Sequence, residues 1–135
     1  MILHIRAVGA SDVPKMDIIG LSDPYLLFEL STSSQKWKTK YINNTKAPVW
    51  NEDFHLPVSS SLTDTLRVSL WDQDDISKDD LISTYDFTIK NDFPIGKIID
   101  KWYQMCPIKG VKEGGKVRLI IQLNRPGKDP FTDES

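Results

Sequence analysis

Residues 65–82 read TLRVSLWDQDDISKDDLI, an alternating stretch that runs directly into a loop rich in aspartate. In its first half, Leu66, Val68 and Leu70 recur at every second position. This is the period of a β-strand with one buried face. The aspartates after Trp71 therefore lie where a strand ends.

Period-two alternation extends over most of the chain, and long helical periodicity is nearly absent. The only helical turn predicted lies around 95–101, after Pro94. Many short strands separated by turn residues predict an all-β fold, an antiparallel sandwich of two sheets. Eight strands are predicted, at about 2–8, 25–30, 35–42, 49–56, 65–71, 83–90, 101–105 and 116–123.

The composition is that of one ordinary globular domain of 135 residues, 39% hydrophobic and 27% charged. The domain is expected to span 1–124, followed by a polar, mobile tail over 125–135. No apolar run approaches the roughly 20 residues that cross a bilayer, and no secretory signal is visible. A cytoplasmic protein is expected, with Cys106 as a buried free thiol.

Five aspartates fall in two distant clusters, each at the end of a predicted strand. If those ends meet in space, the carboxylates repel one another unless a cation joins them. Calcium is the first candidate because it takes six to eight oxygen ligands in flexible geometry. The candidate ligands are Asp17, Asp23, Asp72, Asp74 and Asp80.

The net charge of −2 conceals a segregation of charge along the chain. Residues 36–46 contain four lysines and no acid. Lys36, Lys38 and Lys40 alternate with other residues, so their side chains are predicted to share one face of a strand. That face is either a site for anions or a solvated face that discourages edge pairing.

Three segments together resemble one family. Residues 16–25, MDIIGLSDPY, resemble the first calcium loop of C2 domains, the calcium-dependent phospholipid-binding modules of protein kinase C and the synaptotagmins. Residues 71–82 look like the third loop, and residues 36–54 are similar to the family's basic strand and the segment after it. The resemblance covers about 2–123.

Chain order resembles the circularly permuted, type II topology of phospholipases, because the segment that begins at residue 2 feeds the first calcium loop directly. The calcium loops would then lie at one end of an eight-stranded sandwich. Residues 116–123 would fill, from the C-terminal side, the place of the family's first strand.

The resemblance also implies roles for single residues. Two or three calcium ions would be held by the aspartates, with the backbone carbonyls of Met16 and Gln73 and with Ser77. Ile18 and Ile76 occupy membrane-inserting positions, and Ile19 is adjacent. The remaining lipid contacts would come from Lys36, Lys38, Lys40, Tyr25 and Trp71.

Two positions depart from the family's phosphoinositide pattern. Leu27 stands in place of a lysine and Asp79 in place of an asparagine. Phosphatidylserine is therefore the first expected lipid, and phosphoinositides stay open.

The predicted function is calcium-dependent binding to anionic phospholipid membranes by a monomeric, peripheral module that calcium recruits from the cytoplasm. It would not span the membrane, bind nucleic acid or act as an enzyme. The alternative is a calcium-independent protein–protein interaction module on the same fold.

Two other classes conflict with the sequence. A haloacid-dehalogenase-type phosphatase would need a parallel sheet with crossover helices, which the pattern does not offer. In an EF-hand loop starting at Asp72, Ser77 would replace the required glycine and Ser83 the required glutamate.

Overall fold

A computed structural model describes residues 1–16 and 20–132. It confirms the predicted β-sandwich, with two antiparallel sheets in the orders β4-β1-β9-β7 and β3-β2-β5-β6-β8. A two-residue strand, β8, is added to the predicted set. The strands are β1 Ile2–Ser11, β2 Pro24–Leu30, β3 Lys36–Lys38, β4 Val49–Pro57, β5 Thr65–Asp72, β6 Asp80–Thr88, β7 Ile99–Gln104, β8 Cys106–Pro107 and β9 Lys116–Asn124.

Strand β1 lies between β4 and β9, so the last strand of the chain pairs with the first. The register runs from Ile2 opposite Asn124 to Ser11 opposite Lys116. The C-terminal end of β1 enters the segment between β1 and β2, which we call the first acidic loop. This is the arrangement that the type II topology implies.

The core fills the space between the sheets with the alternating apolar residues of both. On β5, Leu66, Val68 and Leu70 are fully buried, as their spacing predicts. Leu3, Ile5 and Ala7 of β1 and Val117, Leu119, Ile121 and Leu123 of β9 meet them from the other sheet. The buried faces of neighbouring strands thus hold the loop ends of the sandwich in register.

Strand β1 carries a bulge between Ala7 and Gly9, where its register shifts against both neighbours. A Cβ at Gly9 would lie 2.6 Å from Pro48 O, and the next N–H, that of Ala10, donates to the same oxygen. Only glycine allows this approach. The 43–48 segment is thereby held beside the first acidic loop.

The predicted helical turn at 95–101 is wrong. The helix, α1, spans Ile89–Asp92, and Ile99 already begins β7. Ile89 and Phe93 are both buried, which fixes the turn against the core. The N–H of Ile89 also donates to Asp64 O.

Strand β3 is shorter than its alternation predicts, because the chain leaves the sheet at Thr39. This side chain turns inward and is buried, and its Oγ1 accepts from the N–H of Leu26 at 3.0 Å. Lys40 consequently lies beyond the strand that carries Lys36 and Lys38.

A row of alternating charges crosses the outer face of the five-stranded sheet. Lys36 lies opposite Glu29, Glu29 opposite Arg67, and Arg67 opposite Asp86. Arg67 binds Asp86 through two hydrogen bonds, of 2.8 and 3.1 Å, and Lys36 Nζ lies 3.8 Å from Glu29. The row is stabilising as a network more than through any one exposed pair.

The C-terminal segment lies against the outer face of the four-stranded sheet up to residue 132, an arrangement that its polar composition does not predict. The N–H of Phe131 donates to Gln122 Oε1 at 2.6 Å, and Gln122 Nε2 donates to Thr132 O at 2.8 Å. The Arg6 guanidinium stacks on the Phe131 ring, 4.8 Å from its centroid. Phe131 also meets the edge of His4.

Two further features concern single side chains. Cys106 is exposed, so the expectation of a buried thiol is wrong. His4 and His55 form a cross-strand pair whose Nδ1 atoms lie 2.7 Å apart.

Within the described residues, no helix is both long and apolar enough to cross a membrane.

Candidate functional site

Three neighbouring strands bring aspartates together at one end of the sandwich. Asp72 ends β5, and Asp80, the first residue of β6, is its direct cross-strand partner. Asp23 immediately precedes β2, whose first residue Pro24 pairs with Asp72. The two clusters, 49 residues apart in sequence at their nearest members, therefore share one end of the five-stranded sheet.

Asp72 joins the two clusters through the backbone. The N–H of Asp23 donates to Asp72 Oδ1 at 2.8 Å, and the N–H of Gln73 donates back to Asp23 O at 3.0 Å. Asp72 is only 2% exposed. The carboxylate is thus a built part of this end of the fold.

Asn44 holds the first acidic loop from the side. Its N–H donates to Asp23 Oδ1 at 2.6 Å, and its own Oδ1 accepts from the N–H of Leu21 at 2.7 Å. The backbone of Asn44 has φ +50° and Gly20 has φ +79°, conformations that suit asparagine and glycine. These bonds orient the carboxylate of Asp23.

The segment between β5 and β6, residues 73–79, is the second acidic loop. Its hydrogen bonds centre on Asp74. Its Oδ1 accepts from the N–H groups of Ile76 and Ser77, and its Oδ2 accepts from Ser77 Oγ at 2.9 Å. These bonds, that of Ile76 first, lower the pKa of Asp74 and fix the orientation of its carboxylate. A carboxylate has about four acceptor positions, so Asp74 Oδ2 retains one.

The other predicted ligands occupy the same end. Gln73 follows β5, and its side chain donates to Asp75 Oδ1 at 2.8 Å. Met16 packs against the core just before the first acidic loop. Asp80 is half-buried, and its carboxylate has no hydrogen bond to any residue that the structure describes.

Asp17, Ile18 and Ile19 lie outside the described residues. Within residues 1–16 and 20–132, no three acidic, histidine or cysteine side chains form a group that could hold a metal ion. The atoms that this end offers are carboxylate and backbone oxygens. That donor chemistry fits calcium, which prefers oxygen ligands, and does not fit a softer metal.

Ile76 is the most exposed large apolar side chain among the described residues, at 97%. It follows Asp75 at the tip of the second acidic loop. The hydrogen bond from its N–H to Asp74 fixes the backbone from which it projects. A side chain exposed to this degree contributes little to packing within the described part of the domain.

Residues 36–40 form the basic stretch, and its three lysines differ in their surroundings. Lys36 pairs with Glu29, whereas Lys38 and Lys40 have no ion pair to any described residue. Lys38 Nζ lies over the Tyr25 ring, 5.6 Å from its centroid. The prediction that all three project from one strand face therefore describes Lys36 and Lys38 only.

Tyr25 and Trp71 form a stacked pair on β2 and β5, with centroids 6.4 Å apart and planes 8° from parallel. The Tyr25 hydroxyl donates to Asp79 Oδ2 at 2.5 Å. Burial first, and Asp79 second, raise the pKa of Tyr25 above its usual value. The two aromatic residues connect the basic stretch to the second acidic loop.

Sequence reasoning missed Asn44 and Glu52 as members of this region, and it treated Asp79 only as a departure from the family's lipid pattern. Asn44 had a signal, since asparagine before a proline-containing turn often has a positive φ. Glu52 has none, because its contact with the N–H of Lys40, at 2.9 Å, joins a strand to a distant loop.

Comparisons with known proteins agree with this architecture. The C2 domain family model matches residues 1–105. Human cytosolic phospholipase A2 delta is 32% identical over 106 residues, which are 78% of this chain and 13% of that protein. The chain therefore spans a small part of this relative's length.

Solved structures have the same fold. One of the C2 domains of plant extended synaptotagmin 1 superposes with a TM-score of 0.82 at 22% identity, covering 98% of this chain and 96% of that one. A second solved structure is human GIVD cytosolic phospholipase A2 in complex with methyl gamma-linolenyl fluorophosphonate inhibitor and terbium chloride. It superposes with a TM-score of 0.80 at 25% identity. The match covers 93% of this chain and 18% of the phospholipase. The chain belongs to the C2 domain family.

Proposed function

We propose that this C2 domain docks onto anionic phospholipid membranes when calcium rises, as a non-catalytic targeting module. The observation that carries the proposal is the convergence of Asp23, Asp72 and Asp80 at the ends of adjacent strands, beside a fully exposed Ile76. The oxygen-rich end and the apolar tip lie together, so one surface would supply both a cation site and an insertion point.

The aspartates would hold the ions with Ser77 and the backbone carbonyls of Met16 and Gln73. Five carboxylates carry a formal charge of −5, which two calcium ions change to −1 and three to +1. Bound calcium would supply positive charge and coordination positions for lipid phosphate. The protein's own contribution is to orient Asp23 and Asp74 through the hydrogen bonds that these two carboxylates accept.

Ile76 would enter the headgroup boundary, with Ile18 and Ile19 as candidate partners from the first loop. Fully burying an isoleucine side chain contributes about 1.5–3 kcal/mol. Lys38 and Lys40 would add attraction to an anionic surface, at about 1 kcal/mol each. Lys36 would add less because Glu29 already pairs with it.

The human phospholipase that superposes at 25% identity was solved in complex with terbium chloride, and a metal cation in a structure of this relative supports the proposal. Phosphatidylserine is the lipid we expect first. A monomer recruited from the cytoplasm is the simplest form of the proposal.

Cosedimentation with phosphatidylserine-containing vesicles tests the proposal directly. Binding by the wild type should require calcium and be reversed by chelator. Asp72→Asn with Asp74→Asn should raise the calcium concentration for half-maximal binding by about tenfold or more, which is about 1.4 kcal/mol. Asp129→Asn, an exposed acid of the C-terminal segment, is the control with the same type of charge change.

The alternative function is calcium-independent protein binding through a sheet edge or the basic stretch. The exposed Trp102 on the edge strand β7 is the feature that favours it. Vesicle binding that is indifferent to chelator and to the aspartate substitutions would reject the calcium proposal in favour of this one.

A further inference from the structure

Gln122 places a buried amide on the outer face of the four-stranded sheet, toward the end of β1 that lies opposite the first acidic loop. It is the cross-strand partner of His4 and is 1% exposed. Its Nε2 donates to Gly96 O at 2.9 Å, and its Oε1 accepts from Asn124 Nδ2 at 3.1 Å. These two bonds to the body of the domain fix the orientation of the amide.

The same amide binds the backbone of the C-terminal segment. Its Oε1 accepts from the N–H of Phe131 at 2.6 Å, and its Nε2 donates to Thr132 O at 2.8 Å. A glutamine amide has two donor hydrogens and two acceptor positions, so the domain uses one of each and the segment uses the other pair. Both contacts with the segment are to backbone groups, which every peptide carries.

A slot for an aromatic ring lies beside this amide. The Arg6 guanidinium lies over the Phe131 ring, 4.8 Å from its centroid, and two hydrogen bonds to Asp53, of 2.7 and 3.0 Å, hold it there. The His4 ring meets the Phe131 ring at 64°, with centroids 6.2 Å apart. Because a cation over a ring face favours an aromatic side chain over an aliphatic one, the slot selects an aromatic residue.

The segment fills this site imperfectly. Residues 126–130 are exposed and, within the described part of the chain, form no hydrogen bond to the sheet. Phe131 has φ +61°, which is a strained backbone conformation for a residue with a Cβ. Two buried atoms of the surrounding residues, His4 Nε2 and Asn124 Oδ1, have no hydrogen-bond partner among the described residues. The segment is therefore an occupant that another peptide can replace.

We propose that Arg6, His4 and Gln122 form a binding site for a peptide segment of a partner protein that presents an aromatic side chain. The partner's aromatic residue donates its N–H to Gln122, and the next carbonyl accepts from Gln122, as Phe131 and Thr132 do here. The C-terminal segment is then an intramolecular competitor. A short tether gives it an effective concentration in the millimolar range, so it blocks the site until a partner displaces it.

The test opens the site in the full chain and supplies the segment as a free peptide. Phe131→Ala and the wild type are titrated in chelator with the amidated peptide PGKDPFT, which copies residues 126–132. The variant should bind about fivefold or more tightly than the wild type, and the side-chain amide signals of Gln122 should shift in NMR spectra. Equal binding to both proteins, or no binding to the variant at millimolar peptide, would overturn the inference.

Replacing the aromatic residue of the peptide tests the chemistry of the partner. Peptides with tyrosine or tryptophan in place of phenylalanine should bind Phe131→Ala to within about twofold of PGKDPFT. A leucine peptide should bind about threefold or more weakly, because it loses the contact with the guanidinium. Equal binding of the leucine peptide would reject the aromatic slot.

Two arginines of this sheet face provide matched receptor variants. Arg6 and Arg118 each form two hydrogen bonds with an aspartate, and of the two it is Arg6 that contacts Phe131. In the Phe131→Ala background, Arg6→Gln should weaken PGKDPFT by about threefold or more, and Arg118→Gln should leave its affinity unchanged. An equal effect of the two substitutions would contradict the assignment.

Light scattering of the wild type separates a partner protein from a second copy of this chain. A monomer is expected. A dimer that Phe131→Ala converts to a monomer would mean that two copies exchange their C-terminal segments, and it would overturn the assignment to a separate partner. Phe131→Leu replaces Phe131→Ala in every titration if the alanine variant proves unfolded, since it keeps an apolar side chain but loses the ring.

Discussion

The backbone N–H of Asp23 donates to Oδ1 of Asp72 across 2.8 Å, so one buried carboxylate fastens the first acidic cluster to the second. The same carboxylate is a proposed calcium ligand. Its structural and functional roles can be separated by the choice of substitution.

Asp72→Asn keeps an oxygen that can accept from Asp23, whereas Asp72→Ala leaves this donor without its acceptor. We expect the alanine variant to have a free energy of unfolding about 1–3 kcal/mol below that of the asparagine variant. Urea denaturation in chelator measures the difference. Equal stabilities would show that the bond to Asp23 contributes little to the fold.

Ile76→Ala should weaken binding to calcium-loaded vesicles by about tenfold, because most of the inserted apolar surface is lost. Calcium affinity without lipid should be unchanged, which calorimetry can check. Ile95→Ala is the matched control, since Ile95 is also exposed but lies beside Gly96, which bonds Leu123 at the other end of the sandwich. A similar loss in both variants would contradict insertion at the loop tip.

His4 should make the fold sensitive to mild acid. Burial first, and the neighbouring charge of His55 second, lower the pKa of His4 from its usual 6.5. In mild acid the unfolded chain therefore binds more protons than the folded chain. The free energy of unfolding keeps its full value above about pH 6.5 and decreases as the pH falls through the lower pKa of His4 in the folded state. Three aspartates affect the free energy of unfolding only at more acidic pH, because their pKa values are lowered from 3.8. They are Asp53, Asp86 and Asp100.

Urea unfolding at about pH 7.5 and about pH 5.5 measures this dependence. His4→Gln should flatten it, and His55→Gln should reduce it in part. The Nε2 atom of His4 has no partner among the described residues, so the replacement removes only the contacts of His4 with His55 and Phe131. An unchanged slope in His4→Gln would assign the dependence to other groups.

Phe131→Ala should lower the free energy of unfolding by about 1–2 kcal/mol, since the ring packs on His4 and under the Arg6 guanidinium. Lys128→Ala, an exposed change in the same segment, serves as its control. If the two variants unfold alike, the segment over 125–132 does not contribute to the stability of the domain in solution.

Gly114→Ala should be strongly destabilising, by about 3 kcal/mol, because its Cβ would lie 2.3 Å from Met105 O. Gly110 has φ +91°, and a Cβ added there would have nothing within 4 Å, so Gly110→Ala should cost only about 1–2 kcal/mol of backbone strain. Comparing thermal unfolding of the two separates a clash from a conformational cost. Equal losses would mean that the backbone near Met105 moves aside.

The sandwich was predictable because each strand carries its own alternating pattern, as Leu66, Val68 and Leu70 show. The position of the helix was not predictable, because Ile89 and Phe93 also fit the end of a strand. The hydrogen bond from the N–H of Ile89 to Asp64 O favours the helix over the strand, and it is a contact between separate segments. Pro94 and Gly96 drew the prediction to a segment that forms only a turn, in which Lys97 N–H donates to Pro94 O.

The convergence of Asp23, Asp72 and Asp80 was predictable because each lies at a strand end that the sequence marks. The closeness of Glu52 and Asp79 to the two lysines without ion pairs was not, since these two acids reach that region from different parts of the fold. Whether they face the lysines depends on where the chain leaves β3 after Lys38, and the inward turn of Thr39 sets that point. Such distant relationships carry no local signal.

The charge row from Lys36 through Glu29 and Arg67 to Asp86 cancels within itself across the five-stranded sheet. These four charges consequently contribute little to the electrostatic field of the domain at distances beyond a Debye length. The long-range field comes instead from the loop end, where the acidic cluster lies beside Lys38 and Lys40, the two lysines of the basic stretch that have no ion pair to a described residue. We therefore expect the charge at the loop end, and not that of the sheet face, to decide how the domain is oriented as it approaches a bilayer.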